Sequence, residues 1–214
     1  MQKGLRKNLV NEHIKKSNGV LHLGAHAGQE ALNYYSFNKP VVWVEAMPHV
    51  FDRLVENVSQ YHNQKAICAL ITDLDNEKYT FNISNNVDGV SSSIFEFGDY
   101  SSGGKSLWPG LNLNMINKIE LVSTKLDSLF KSNNIESKNY DFWVIDLQGA
   151  ELLAIKGADV SINNCKTIYV EISQEEVYKN GVLYPELKKF LNSKGFVAVY
   201  EPKKIHDDVL FVRK

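Results

Sequence analysis

Short apolar runs alternate along this chain with stretches that have the residue spacing of helices. The predicted strands that contain these runs cover residues 20–23, 41–44, 66–71, 141–145 and 167–172. Strands with one face in water alternate polar and apolar residues, whereas strands covered by helices on both faces do not. We therefore predict an α/β fold with a doubly wound, mostly parallel sheet.

Helical spacing and turn residues place the other regular elements. The predicted helices cover residues 5–14, 29–37, 48–60, 125–131 and 185–193, with one more after Gln148. Two further strands, 196–200 and 209–212, close the chain across a polar turn.

The regular alternation breaks between residues 72 and 118. A half-exposed strand is predicted at residues 79–83, and sequence rich in Gly, Ser and Asn follows it. Long irregular segments inside a domain are commonly functional. We expect residues 1–214 to form one domain, with an N-terminal helix in residues 1–18 and an insertion, 72–118, that contributes to substrate binding.

The composition argues against several classes of function. The 24 Lys and Arg residues nearly balance the 25 Asp and Glu residues, which gives no electrostatic basis for binding nucleic acid or an anionic membrane. Cys68 and Cys165 are too few for a disulfide framework. Because no signal peptide and no membrane-length apolar run is present, we expect a cytoplasmic protein without a membrane span. The sequence leaves the oligomeric state open.

A glycine-containing loop follows the first predicted strand. Gly24 and Gly28 bracket the loop, and Glu45 ends the second strand 21 residues after Gly24. Ligands of doubly wound sheets bind at the carboxyl ends of strands, where an acid about 20 residues after the glycines reaches the hydroxyls of a ribose. The spacing indicates a nucleoside-containing cofactor. The alternative is a strand–helix turn that binds no ligand.

His26, the middle residue between the two glycines, indicates the kind of cofactor. A dinucleotide-binding loop has glycine where this chain has His26, whose side chain would crowd a pyrophosphate. No Gly-Lys-Ser/Thr sequence follows the loop, which excludes a P-loop. S-adenosylmethionine is a nucleoside without phosphates, so the loop favours it over NAD or a nucleotide sugar.

Three segments, residues 21–30, 44–48 and 141–158, resemble the marker segments of the FkbM-type S-adenosylmethionine-dependent methyltransferases. Shorter similarities occur at residues 91–93, 124–129 and 208–212. The resemblance implies a class I methyltransferase fold, a Rossmann-like seven-stranded sheet whose last strand is antiparallel. It also implies methyl transfer to oxygen, often a hydroxyl of a sugar or glycan, and we expect such an acceptor. The short N-terminal helix also fits one domain of a larger glycan-processing protein.

The resemblance further implies which residues bind the cofactor, with Leu70 and Ile71 beside the adenine. The full set is His22, Gly24, Ala25, His26, Gly28, Glu30, Glu45, Ala46, Leu70, Ile71, Ser92, Asp146 and Leu147. Two positions depart from the family pattern. His22 stands where the family usually has Asp, and Gln148 stands where it usually has an acidic residue. Both changes remove a carboxylate from the predicted site.

Methyl transfer to a hydroxyl benefits from a base within hydrogen-bond reach of that hydroxyl. Asp146, at the end of its strand, is the first candidate for the base or for a cofactor or metal contact, and His206 beside Asp207 in the predicted final turn is the second. A helix-capping Asp and a solvated turn are the alternatives without a catalytic role. The expected acceptor contacts are Trp108, Gln148 and Glu171.

No metal site is predicted. His22 and His26 flank a loop without an evident third ligand, which argues against zinc, and no motif indicates a divalent cation, although carboxylates and substrate hydroxyls together would suit magnesium. Two other functions remain open: a binding module that keeps the cofactor fold without catalysis, and a methyltransferase for a small molecule that is not a carbohydrate.

Overall fold

The computed structural model describes residues 3–214. Its strands are β1 (Val20–Leu23), β2 (Val41–Glu45), β3 (Gln64–Cys68), β4 (Leu70–Ile71), β5 (Lys78–Ser84), β6 (Met115–Thr124), β7 (Phe142–Ile145), β8 (Thr167–Ser173), β9 (Phe196–Ala198) and β10 (His206–Arg213). Its α-helices are α1 (Lys3–Lys16), α2 (Ala31–Ser36), α3 (Pro48–Val58), α4 (Leu126–Ser132), α5 (Glu151–Lys156) and α6 (Tyr184–Ser193). Short 3₁₀ helices cover Val87–Gly89, Ser137–Asn139 and Ser161–Asn164.

Seven strands form the main sheet in the order β3-β2-β1-β7-β8-β10-β9. The strand pairs from β3 to β8 are parallel, and β10 runs antiparallel to both β8 and β9. Chain order reverses at β1, which lies between β2 and β7. The predicted fold class and the antiparallel last strand are both confirmed. A ligand site is expected where the order reverses.

Helices cover both faces of this sheet. On one face, Leu21 and Leu23 of β1 pack with buried residues of α4, α5 and α6. On the other, Val20 packs with buried residues of α1, α2 and α3. Successive residues of a strand point to opposite faces, so a buried strand between two helix layers has to be apolar throughout. Each fully buried Leu or Val contributes about 1.5–3 kcal/mol.

The prediction of one strand at residues 66–71 is wrong. β3 pairs with β2 in the main sheet, and the chain then leaves that sheet, so that β4 pairs with β6 in a second, three-stranded sheet of order β4-β6-β5. A hydrogen bond from the Ala69 N–H to the Glu45 carbonyl, at 2.9 Å, marks the last link to β2. The unbroken apolar run at residues 66–71 carries no signal for such a change of sheet, although β3 is only partly buried and β4 is buried.

Much of the predicted irregular insertion is regular. β5 contains the predicted strand 79–83, and β5 and β6 pair over their length, so irregular backbone dominates only residues 85–114. This segment packs on the connection between β8 and α6, where Phe97 and Leu113 share an apolar cluster with Val177 and Tyr178. The Ser101 hydroxyl donates to the Val177 carbonyl at 2.6 Å. The insertion is thereby fixed above the carboxyl ends of the parallel strands.

None of the helices in residues 3–214 combines the length and the apolar character needed to cross a membrane.

Candidate active site

A cavity opens at the carboxyl ends of β1, β2 and β7, where the strand order reverses. The main sheet, the small sheet and the insertion all contribute to its wall. The lining residues are Gly24, His26, Val44, Glu45, Ala46, Met47, Ala69, Leu70, Ile71, Phe81, Gly89, Val90, Ser92, Ile94, Asp146, Leu147, Gln148 and Ala150. Most of the residues expected to bind the cofactor are therefore brought together.

The loop after β1 turns sharply at Gly24, where φ is +76°. A Cβ atom at this position would overlap the carbonyl oxygen of Asp146 at the end of β7. Only glycine permits this positive φ without strain and this close approach of two backbones. The ends of β1 and β7 are thus held together at one side of the cavity.

The amide N–H groups of the loop are already used inside the protein. Gly24 and Ala25 both donate to the Val44 carbonyl at 3.0 Å, and His26 donates to the Glu45 carboxylate at 2.8 Å. A phosphate-binding loop needs such groups free to point at the ligand. The loop is therefore suited to a nucleoside cofactor without phosphates, in agreement with the argument from His26.

Glu45 lies buried in the wall of the cavity, and backbone groups orient its carboxylate. Oε2 accepts the hydrogen bond from the His26 N–H, and Oε1 accepts one from the Met47 N–H at 2.9 Å. Each carboxylate oxygen has a second lone pair. Burial raises the pKa of Glu45, while the backbone hydrogen bonds oppose that shift. The fixed carboxylate can accept further hydrogen bonds from ligand hydroxyls.

Apolar side chains form another part of the cavity wall. It combines Leu70 and Ile71 of β4 with Met47 after β2, Phe81 of β5 and Ile94 of the insertion. Such a slot between apolar side chains suits a planar base. The sequence did not single out Met47, although it follows β2 directly. The pairing of the small sheet brings Phe81 here and the path of the insertion brings Ile94, and neither is visible in the local sequence.

Polar side chains meet at the end of β7, beside the cavity. Gln148, with φ of +54°, donates through its side-chain amide to Asp146 and, at 2.8 Å, to Glu171 of β8. Tyr178 donates its hydroxyl hydrogen to the amide oxygen of Gln148. The Ser93 hydroxyl donates to the Gln148 carbonyl at 2.8 Å. Gln148 therefore connects the two carboxyl groups to the insertion.

Glu171 also meets His206, with 2.9 Å between Oε1 and the imidazole Nε2. The other imidazole nitrogen, Nδ1, lies 3.0 Å from the Ser173 hydroxyl. The indole of Trp108 stands edge-on to the imidazole, with 5.3 Å between ring centroids. The structure thus connects Asp146, through Gln148, to Glu171, His206 and Trp108; of these four expected residues, only Asp146 lines the cavity.

The predicted placement of His206 and Asp207 in a turn is wrong. Both residues belong to β10, where neighbouring side chains point to opposite faces. Asp207 pairs with Arg6 of α1 at 2.9 Å, while His206 faces Glu171. The two side chains therefore form no functional pair.

Burial and mutual repulsion perturb the acids of this cluster. Burial, with the charge of Glu171, raises the pKa of Asp146 well above its usual range. Burial, with the charges of Glu151 and Asp208, raises the pKa of Glu171 to about 8. Burial lowers the pKa of His206, so its imidazole is neutral near pH 7. At that pH the Asp146 and Glu171 side chains hold fewer than two negative charges.

A third acid fixes the loop that carries Gln148. Glu151, at the start of α5, accepts hydrogen bonds through one oxygen from the Leu147 and Gly149 N–H groups, both at 3.0 Å. Burial raises the pKa of Glu151 to about 7. The sequence places Glu151 in the segment 141–158, but nothing in the pattern indicated that its side chain turns back to hold the loop.

Four of the expected cofactor contacts lie outside the cavity wall. His22 points to the opposite layer, where its imidazole stacks on Trp43 with 4.9 Å between centroids and burial lowers its pKa to about 3. Gly28 packs on Leu54 of α3, since a Cβ there would lie 2.8 Å from Leu54 Cδ1. Ala25 is buried beside β2, and Glu30 is exposed at the start of α2.

Within residues 3–214, no three His, Cys, Asp or Glu side chains are grouped so that they could hold a metal ion.

Solved structures show the same fold at low sequence identity. A Staphylococcus aureus protein assigned as a caffeoyl-CoA O-methyltransferase has a TM-score of 0.54 and 10% identity, over 100% of this chain and 85% of that one. The fibrillarin pre-rRNA processing protein of Methanococcus jannaschii has a TM-score of 0.51 and 16% identity, over 94% of this chain and 68% of that one. A search of curated proteins finds no match.

The sequence model of the methyltransferase FkbM domain matches residues 22–198, which include the end of β1, the glycine loop, the insertion and the acids Glu45, Asp146 and Glu171. The match spans most of the chain and ends before β10. The chain therefore belongs to the FkbM methyltransferase family, whose cofactor is S-adenosylmethionine.

Proposed function

We propose that this protein is an O-methyltransferase that transfers the methyl group of S-adenosylmethionine to a hydroxyl of a sugar or glycan. The observation that carries the proposal is the position of Asp146. Asp146 lines the cofactor cavity, and its carboxyl group accepts a hydrogen bond from the Gln148 amide, which also donates to Glu171.

The cavity fits the cofactor by the kind of groups it offers. Glu45 has lone pairs free for the two ribose hydroxyls, and the slot formed by Leu70, Ile71 and Phe81 suits the adenine. The N–H groups of Gly24, Ala25 and His26 are bonded within the protein, so the loop is not arranged to bind phosphate. When bound, the cofactor supplies a methyl group on a sulfonium centre, which is electrophilic without further activation.

The remaining task of the protein is to align the acceptor oxygen and to take its proton. Asp146 suits this task better than His206. Both nitrogens of the His206 ring are engaged, one with Glu171 and one with Ser173, so neither is free for an acceptor hydroxyl. As the acceptor oxygen bonds to the methyl carbon and the carbon–sulfur bond breaks, the hydroxyl proton passes to Asp146.

Glu171 and His206 then act on Asp146 as positioning residues. Burial, with the charge of Glu171, raises the pKa of Asp146, which makes its carboxylate a stronger base once it has lost its proton. The neutral His206 fixes the Glu171 side chain through the 2.9 Å contact. A base with a pKa near the working pH is the most effective in general-base catalysis.

The acceptor side of the site supports a neutral, hydroxyl-rich substrate. Trp108 is half-buried and offers an aromatic surface next to His206, the arrangement on which apolar faces of sugar rings pack. The formal net charge of −1 gives no long-range attraction for a polyanionic acceptor.

The proposal is tested by incubating the protein with S-adenosylmethionine carrying a labelled methyl group and a panel of sugars, glycans and phenolic small molecules. We expect labelled product only with carbohydrates, and mass spectrometry should find a gain of one methyl group on oxygen. Calorimetry with S-adenosylhomocysteine is the control for a competent cofactor site. Binding of S-adenosylhomocysteine without any methylated product would favour a non-catalytic module, and methylation of phenols alone would overturn the carbohydrate assignment.

A further inference from the structure

The insertion contains a second cavity of about 220 Å³, separate from the cofactor cavity. Its wall is made only of small polar residues, glycines and a few apolar side chains. The lining residues are Ser101, Ser102, Gly103, Gly104, Ser106, Trp108, Pro109, Asn112, Leu113 and Asn114. None of them carries a charge, so the wall suits a neutral ligand.

Several polar groups of this wall are free to bind a ligand. Ser101 and Ser106 already donate to backbone carbonyls at 2.6 Å. In contrast, the indole N–H of Trp108, the side-chain amide of Asn112 and the Oδ1 atom of Asn114 have no hydrogen-bond partner within residues 3–214. None of these three groups is fully buried, so each is accessible to water. Together they offer donors, acceptors and an aromatic surface.

Trp108 links this cavity to the cofactor cavity. Its indole lines the second cavity and also stands edge-on to His206 at 5.3 Å. His206 contacts Glu171, and Glu171 accepts a hydrogen bond from Gln148, which lines the cofactor cavity. A series of side-chain contacts therefore connects the wall of the second cavity to the wall of the cofactor cavity.

The chemistry of the second cavity suits a sugar ring. Sugar rings offer hydroxyl groups to amides and an apolar face to an indole, and they carry no charge. Binding sites for such ligands combine an apolar surface with a few polar groups that fix orientation.

We infer that the second cavity binds the sugar residue next to the one that is methylated, so that the acceptor is a disaccharide or a longer glycan. This inference rests on the proposed function, because it takes the methylated sugar to lie beside Asp146. The irregular part of the insertion then determines the length of the glycan that the enzyme accepts.

The first test compares acceptors of different length. For each sugar that accepts a methyl group, kcat/KM is measured with its methyl glycoside and with the matching disaccharide. We expect a preference for the disaccharide of about tenfold or more, the size of a few added contacts. The variants Asn112→Gly and Asn114→Ala should reduce that preference, and glycine keeps the positive φ of +45° at residue 112. Asn163→Ala, an exposed asparagine on a 3₁₀ helix, is the matched control and should keep the preference.

The second test does not depend on turnover. Trp43 and Trp143 are fully buried, so quenching of tryptophan fluorescence by acrylamide reports mainly on Trp108. In the protein loaded with S-adenosylhomocysteine, disaccharides that bind should protect Trp108 more strongly than their methyl glycosides at equal concentration. The variant Trp108→Phe should abolish the protected signal.

The outcomes separate the two claims. Methyl transfer with equal kcat/KM for both lengths, or a preference that survives Asn112→Gly and Asn114→Ala, overturns the second subsite but leaves the proposed function intact. Protection of Trp108 by disaccharides without methyl transfer supports the subsite and contradicts the proposed function. No protection and no length preference across the panel overturns the inference.

Discussion

The backbone at Gly24 passes so close to the carbonyl oxygen of Asp146 that no Cβ atom fits between them. This contact joins the loop after β1 to the end of β7. The loop orients Glu45 through the His26 N–H, and β7 ends at the proposed base. The same backbone contact therefore holds both Glu45, which is expected to bind the cofactor, and the proposed base Asp146 in place.

Replacement of Gly24 by alanine should destabilise the fold by about 2–5 kcal/mol, because a side chain at φ +76° is strained and its Cβ meets backbone atoms that cannot move. Urea unfolding measures this loss. Gly28→Ala is the matched control: φ is +73°, but its Cβ meets the flexible Leu54 side chain, so the loss should be smaller. Equal losses would contradict the special role of the Gly24–Asp146 contact.

Glu45→Ala should weaken binding of S-adenosylmethionine by about 1.5–3 kcal/mol, or roughly 10- to 150-fold in Kd, the size of hydrogen bonds to a charged group. The expected cause is the loss of the ribose contacts and of the hydrogen bond that orients His26. Calorimetry measures the change, with Glu56→Ala on the exposed side of α3 as control. A Kd equal to that of the wild type would move the ribose contact to another residue.

The methyl transfer rate should rise as the pH increases above neutral. Burial and like charges raise the pKa values of Asp146 and of Glu171, the latter to about 8, so the two side chains together retain a proton at neutral pH. Asp146 acts as a base only without its proton, so activity should be low at neutral pH and higher in alkaline solution. Glu171→Gln removes the like charge and should shift the midpoint to lower pH. A profile that is flat between pH 6 and 9 would argue against a carboxyl base.

Glu151→Gln should remove part of the pH dependence of stability. The folded state raises the pKa of Glu151 to about 7, above its unfolded value, so its stabilising contribution is complete below about pH 4.5 and is lost as the pH rises through 7. The loss amounts to about 3 kcal/mol. Glutamine can still accept both loop N–H groups through its oxygen. Urea unfolding at pH 5 and 8 should therefore show a smaller difference for the variant; an unchanged difference would contradict the assignment.

The sequence was sufficient to predict the architecture because the strands are buried on both faces. An unbroken apolar run such as residues 41–44 has one stable environment, a parallel sheet between helices. The same argument failed at residues 66–71, where Ala69 ends one strand and Leu70 begins another in a different sheet. The hydrophobic pattern is identical in the two cases, and only long-range pairing with β6 distinguishes them.

The site was predictable where its residues are tied to strand ends. Gly24, Glu45 and Asp146 follow consecutive parallel strands, so topology alone brings them together. Phe81 reaches the cavity through the pairing of β5 with β6, and Ile94 through the irregular path of the insertion; no local pattern encodes either. His22 was expected at the site from its place in the marker segment, but strand alternation turns its side chain to the opposite layer.

The most direct test of the account is the rate of labelled methyl transfer to carbohydrate by the wild-type protein and by Asp146→Asn, at saturating S-adenosylmethionine. Asparagine keeps an oxygen that can accept the hydrogen bond from Gln148, so folding and cofactor affinity should be retained. Asp159→Asn, an exposed aspartate, is the matched control. We predict that Asp146→Asn lowers kcat by about 10²–10⁴-fold. Turnover of Asp146→Asn at the wild-type rate, or the absence of labelled carbohydrate with the wild-type protein, would contradict the account.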